Sequence, residues 1–223
     1  MKFRHEFKYH INYLDYINLK SKLKKIMKQD SHINEKGMYT IKSLYFDNIY
    51  DQALFEKING KNIREKFRIR MYNNDSSFIR LEKKSKIKNL TSKISTTMTE
   101  NEVNRIINGQ YQFLLESNNP LKIELYSNIK KQLLKPKTIV EYIREPFIYN
   151  AGNVRITLDR EIKSGANKID FFNKDLPLIE AAEEIILEVK YDGFLPDFIR
   201  NLIKIDNRMA TSFSKYVVAR VYG

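Results

Sequence analysis

The sequence predicts one antiparallel α+β domain, closed into a barrel. Three observations lead there. Nine segments rich in β-branched and aromatic residues alternate with period two, as strands do. Helical stretches are inserted among those strands, the pattern of a mixed antiparallel domain, and closure leaves such a sheet without edges. Charged residues also recur at every second position along several strands, giving each a charged face and an apolar one.

In chain order, a strand over residues 6–11 leads into a helix over 13–29. In that helix Leu19, Leu23, Ile26 and Met27 recur at helical spacing, and Asn12 or Asp15 serves as cap. The basic run at 20–28 falls inside it and reads as its solvated face. Strands follow over 39–46, 64–72, 78–86 and 89–98, with a short helix over 51–58 after the first of these. Thr99 and Glu102 have capping-box spacing at the start of a helix over 99–107. A helix over 119–134 carries Pro120 in its first turn and stops before Pro136. Strands over 138–149, 154–162, 167–172 and 185–191 come next, and helices over 196–205 and 211–221 close the chain. Phe113, Leu114 and Leu115, and the pair Tyr45 and Phe46, are expected in the core.

At 223 residues the chain exceeds one typical domain of roughly 150. It has no Pro-rich or Gly/Ser-rich linker and no repeat, so residues 1–223 read as a single domain. Forty Lys and Arg against 27 Asp and Glu leave a net charge of +13. Such a surplus calls for an anionic partner: nucleic acid, acidic membrane or a phosphorylated ligand. The absence of Cys removes disulfides, thiolate catalysis and Cys-containing zinc sites. Seven scattered glycines exclude a GxGxxG or Walker A loop, and His5, His10 and His32 form no HExxH. A phosphate would therefore be held by side-chain cations. No apolar stretch reaches the ~18 residues of a membrane span, and the charged first residues lead into no signal-peptide core. A cytoplasmic location is expected.

The charged faces carry the functional signal. Lys66, Arg68 and Arg70 share one face of their strand, with Phe67, Ile69 and Met71 on the other. Glu6 and Lys8 repeat the pattern, as do Arg80, Glu82 and Lys84, then Arg155, Thr157 and Asp159, then Glu188 and Lys190. Two geometries satisfy it. The charges face solvent around an apolar sandwich core, or they line a barrel whose apolar outer faces are covered by helices. The recurrence of Arg64, Arg68, Arg70, Arg144 and Arg155 weighs toward the second, because a guanidinium fork suits phosphate. Glu6, Glu82, Asp159 and Glu188 would then offset repulsion among inward cations. The aromatic and apolar residues lie opposite the cations, unlike a base-stacking surface, so nucleic acid is not expected. His5 and His10 differ in parity and are read as exposed or core residues.

Seven motifs in order give a resemblance. They are Arg4-His5-Glu6-Phe7-Lys8-Tyr9, Ser43-Leu44-Tyr45-Phe46-Asp47 with Tyr50 following, Lys66-Phe67-Arg68-Ile69-Arg70-Met71-Tyr72, and Leu81-Glu82-Lys83-Lys84. Val154-Arg155-Ile156-Thr157-Leu158-Asp159, Leu187-Glu188-Val189-Lys190-Tyr191 and Ser212-Phe213-Ser214-Lys215-Tyr216 complete the set. Together, over essentially the whole chain, they resemble the VTC domain, the polyphosphate polymerase branch of the triphosphate tunnel metalloenzyme superfamily. The resemblance implies an eight-stranded antiparallel β-tunnel with a basic interior, covered by helices. It also implies transfer of the ATP γ-phosphate onto a growing polyphosphate chain, with Mn²⁺ or Mg²⁺. Phosphate-binding cations are implied at Lys8, Arg68, Arg70, Lys84, Lys93, Arg155 and Lys215, and the metal carboxylate at Glu188.

Lys84 is preferred to its neighbour Lys83 on parity with Glu82. Beside these, Lys66, Arg144 and Lys190 are expected on phosphate. Arg68, Arg70, Arg155 and Lys215 are expected at the transferring group, with Glu6 or Glu82 assisting Glu188 at the metal. ATP or another triphosphate and polyphosphate are the expected partners. A CYTH-like triphosphatase is the alternative within the superfamily, with the segment at 212–216 favouring the polymerase. A non-catalytic polyanion-binding domain is the third. The sequence has neither the SPX domain nor the membrane spans of the eukaryotic assemblies, so inositol-phosphate sensing and translocation are not expected.

Overall fold

The computed structural model describes residues 3–30, 33–88, 90–205 and 208–223; His32, and Asn89 at the expected start of a strand, lie outside them. In chain order the elements are β1 (Phe3–Ile11), α1 (Tyr13–Ile26), β2 (Lys28–Gln29), β3 (Tyr39–Asp47) and α2 (Gln52–Ile58). Then come β4 (Ile63–Tyr72), β5 (Asp75–Ile87), β6 (Leu90–Met98), α3 (Glu100–Ile107), α4 (Gln112–Glu116) and α5 (Pro120–Gln132). β7 (Lys135–Tyr149), β8 (Val154–Ser164), β9 (Ile179–Ala182), β10 (Ile185–Tyr191), α6 (Asp197–Ile203) and α7 (Lys215–Val221) complete the chain.

Eight strands close in the order β7-β3-β4-β5-β6-β1-β10-β8, with β8 returning to β7, and every pairing is antiparallel. The short β2 and β9 extend the ladders of β7 and β8. Helix starts follow local chemistry. Asn12 and Asp15 form a reciprocal capping box on α1, Thr99 and Glu102 do so on α3, and Asn119 caps α5 ahead of Pro120. Each such cap stabilises its helix by about 1 kcal/mol.

The main apolar packing lies outside the barrel. Phe67, Ile69 and Met71 of β4 join Phe46 and Leu81 and pack on Val103 and Ile106 of α3, Leu114 of α4 and Leu125 of α5. On the other side Ile156, Leu158, Leu187 and Val189 meet Leu19 and Leu23 of α1 and Ile199 of α6. A third cluster joins Tyr45, Val140, Tyr142 and Ile186 to Tyr216 and Ala219 of α7. Those strand residues share the parity of Arg144 and Glu188, so α7 fills one end of the bore.

Several expectations are corrected. Residues 167–172 are not a strand: Ala166 takes a left-handed conformation, the chain turns, and Phe171 is fully buried under the first cluster as a loop residue. Burial of Ile169, Phe171 and Phe172, not sheet pairing, accounts for their apolar character. α1 ends at Ile26 rather than residue 29, because Lys28 and Gln29 pair with Ile148 and Phe147. Residues 211–214 are not helical: the Thr211 amide donates to the Lys8 carbonyl and Ala210 bridges to Tyr9, holding the segment extended along β1 before α7 begins. Leu115 and Ile26 are exposed, while Phe113, Leu114, Leu19, Leu23 and Met27 are buried. α4 and β9 were not anticipated.

Candidate active site

Alternation along the closed strands places one side chain in every two inside the barrel, and there the charged faces meet. A cavity of about 400 Å³ runs within, lined by Glu6 and Lys8 of β1, Lys66, Arg68 and Arg70 of β4, Lys84 of β5 and Lys93 of β6. Arg144 of β7, Arg155 of β8, Glu188 and Lys190 of β10 and Lys215 of α7 complete the set expected from the sequence. Glu82 is on the inward face of β5, 1% exposed, beneath the cations it holds. Lys83 points outward and pairs with Glu65 and Glu124.

The interior is organised around four carboxylates. Glu82 accepts from Arg68 Nε at 2.7 Å and from Lys93 Nζ at 2.7 Å, with Arg70 Nη1 at 3.7 Å. Asp159 receives the Arg144 fork in two bonds of 2.7 Å each and Lys215 Nζ at 2.6 Å. Glu6 takes Lys84 Nζ on both oxygens at 2.7 and 2.8 Å and has Lys8 Nζ at 3.4 Å. Glu188 pairs with Lys190 and has Arg144 Nη2 at 3.6 Å.

Burial alone would raise all four acids. The cations outweigh it: Lys84 lowers Glu6, Arg68 and Arg70 lower Glu82, Lys190 and Lys8 lower Glu188, and Arg144 with Lys215 hold Asp159 at about 2. All four are ionised at neutral pH. In return Glu82 raises Arg68 and Asp159 raises Arg144 against the effect of burial.

Hydroxyls fix the guanidinium groups further. Tyr45 Oη accepts from Arg68 at 3.1 Å, Tyr142 Oη from Arg70 at 3.1 Å and Tyr39 Oη from Arg155 at 2.7 Å. The Lys66 ammonium sits 4.8 Å from the Tyr216 ring centre. Tyr45 is thus a cavity residue as well as a core residue, and aromatic rings do stand among the cations. Their signal was present: Tyr45 shares the parity of Ser43, Tyr72 that of Arg70, and Tyr142 that of Arg144. Lys57 of α2 and Lys86 of β5 also line the cavity and were missed.

Among the described residues, Glu6 and Glu188 are the two carboxylates in the cavity lining. Glu6 faces Lys190 and Lys8 faces Glu188 across the β1–β10 ladder, so the two acids are diagonal neighbours, and the Glu188 charge raises the affinity of Glu6 for a proton. As hard oxygen donors on adjacent strands, the two acids are of the type that would hold a divalent cation such as Mn²⁺ or Mg²⁺. Among the described residues no group of three or more His, Cys, Asp and Glu is assembled for a metal. Glu82 stands apart from this pair, engaged by Arg68, Arg70 and Lys93. His5 stacks on Tyr191 at 4.9 Å and His10 meets Phe213 edge-on at 5.2 Å, so both make aromatic contacts. Among the described residues no helix is long and apolar enough to cross a membrane.

The chain thus forms a closed eight-stranded antiparallel barrel whose inward cations are balanced by acids. The chain matches the VTC domain family over residues 3–222 and belongs to that family. Among solved structures it is similar to a candidate adenylyl cyclase from Hippeastrum with dominant triphosphatase activity, at TM-score 0.57 and 10% identity, covering 98% of this chain and 95% of that one. A candidate adenylate cyclase from Bacillus halodurans gives TM-score 0.47 and 16% identity over 85% and 82% of the two chains. The capping-enzyme triphosphatase of Mimivirus gives 0.44 and 11% over 90% and 86%. At 10% identity the likeness to the Hippeastrum protein is one of fold. No curated protein matches the chain at a significant level.

Proposed function

We propose that this protein is a polyphosphate polymerase that transfers the γ-phosphoryl group of ATP to the end of a polyphosphate chain inside the barrel. Membership of the VTC family supports this reading. The state of the interior acids supports transfer to phosphate over hydrolysis. Glu6, Glu82, Asp159 and Glu188 are each tied to Lys or Arg and held below the usual carboxylate range. A general base works best with a pKa near the operating pH, so none of these acids is suited to activating water. A phosphate acceptor already carries its negative oxygen and needs no base.

Phosphoryl transfer depends on position and on neutralising the equatorial oxygens. Arg68 and Arg70, locked by Glu82, Tyr45 and Tyr142, are preorganised donors that need no rearrangement when charge moves. Arg155 and Lys215 approach from β8 and α7, and Lys8, Lys84 and Lys93 cover the β1, β5 and β6 wall. A divalent cation on Glu188 and Glu6 would, when bound, add charge neutralisation at the phosphate oxygens. In the step itself a terminal acceptor oxygen forms a bond to the γ-phosphorus. The bond from that phosphorus to the β–γ bridging oxygen breaks, and ADP leaves with the electron pair.

The test is stoichiometry. With ATP and Mn²⁺ or Mg²⁺, ADP should accumulate without an equal yield of free phosphate. One phosphate per ADP would assign the triphosphatase activity instead.

A further inference from the structure

The cavity has two halves. Fourteen Lys and Arg line it, and ten of them make an ion pair with a carboxylate. The other four, Lys57, Arg64, Lys66 and Lys86, have no carboxylate partner among the described residues, and they lie together. Arg64 of β4 stands directly opposite Lys86 of β5, and Lys66 opposite Lys84, which places like charges in facing positions on two successive inward rows. Facing like charges destabilise a sheet. Lys57 comes from α2, which packs on β4, and is close enough to Arg64 and Lys86 to be repelled by both. All four are half-buried. Desolvation and mutual repulsion lower Lys57 to about 8, and burial with repulsion from Lys57 and Arg64 lowers Lys66 to about 7.

A cluster of half-buried cations without ion-paired carboxylates, offset only in part by Glu56, Asp47 and Glu6, is a standing cost to the apo fold, and a bound anion removes it. The geometry points to a second phosphate site at Lys57, Arg64 and Lys86, with Lys66 at its junction with the first, that holds the distal phosphates of a condensed phosphate chain. The inference rests on the polymerase reading. The division of charge says which anion sits where. The acid-balanced half contains Glu6 and Glu188 and suits a triphosphate accompanied by a divalent cation. The other half has no carboxylate in ion-pair contact with its cations among the described residues; Glu56, Asp47 and Glu6 act on them only from further off, and this half suits bare phosphates of high charge density. One continuous cavity contains both, so a chain longer than a triphosphate can span from one to the other.

The test compares chain lengths. Tripolyphosphate and long-chain polyphosphate are titrated calorimetrically, without divalent metal, into wild type, Lys57→Gln and the double variant Arg64→Gln/Lys86→Gln. Loss of a charge-assisted contact weakens binding by about tenfold, so Lys57→Gln should lose long-chain affinity about tenfold and the double variant about a hundredfold, while tripolyphosphate binds as before. The thermal midpoint of the unliganded double variant should rise, because repulsion is relieved; cations with a structural role would lower it. Unchanged long-chain affinity, an equal loss for both ligands, or a lowered midpoint overturns the site. Failure of the polymerase reading shows elsewhere, as free phosphate in place of polymer from the wild-type protein.

Discussion

Glu82→Gln tests the organisation of the interior. The carboxylate is 1% exposed and binds Arg68, Lys93 and Arg70 at 2.6, 2.7 and 3.7 Å. The amide has similar volume but no charge, so Arg68 and Arg70 are left buried without compensation. Removing one partner of a buried ion pair costs about 3–5 kcal/mol. For a chain of this length each kcal/mol moves the midpoint by about 2–4 °C, so the variant should melt roughly 6–20 °C lower than wild type. Thermal denaturation followed by circular dichroism reads this directly. Tripolyphosphate, which supplies the missing negative charge and binds only the folded state, should recover much of the loss.

The pH dependence has a definite sign. Arg68 and Arg70 hold the Glu82 pKa well below its ordinary value, so its stabilisation is present above the unfolded pKa of about 4.3 and fades as pH falls through the folded one. Wild type and variant should converge toward acid. A midpoint within about 2 °C of wild type at neutral pH would refute the assignment of Glu82 as the counter-ion of the arginine pair.

Glu188→Gln should abolish metal-dependent turnover yet leave triphosphate binding intact, since a lost acid makes the cavity more positive; wild-type rates across Mn²⁺ and Mg²⁺ titrations would contradict the metal assignment. Arg68→Ala should weaken triphosphate binding itself by about tenfold, measured by calorimetry, and an unchanged Kd would remove Arg68 from the site. Bound phosphate should restore Lys66 and Lys57 toward the ordinary lysine value from about 7 and about 8. Binding therefore takes up protons between about pH 7 and 10, and affinity should fall across that window by up to about tenfold per pH unit per proton. Calorimetry in buffers of different ionisation enthalpy reads the uptake, and its absence would contradict the lowered lysines. Without ligand the sign reverses: a lysine lowered in the folded state costs stability below its unfolded pKa, so the apo midpoint should rise over the same window.

Much of the site was legible because strand parity is rigid. Once Lys66, Arg68 and Arg70 were placed on one face, every second residue of β4 followed, and the same held for Glu188 and Lys190. Parity alone does not say which face is inside. Closure decides that, through pairings such as Arg144 with Asp159 across β7 and β8, which local pattern does not reveal. Lys57 was invisible for a related reason: it reaches the cavity from a helix, and only the packing of α2 on β4 brings it there. Residues 167–172 misled because Ile169, Phe171 and Phe172 carry strand composition while serving a buried turn. Residues 211–214 misled in the other direction, being drawn out of the expected helix by backbone bonds to β1.

The most direct measurement follows the product of the purified protein with ATP and Mn²⁺ or Mg²⁺, on a gel that resolves long phosphate chains and by phosphorus NMR. The account predicts a ladder of polyphosphate and growing signal from internal phosphates, both lost in Arg70→Ala. Free phosphate as the sole product would contradict it.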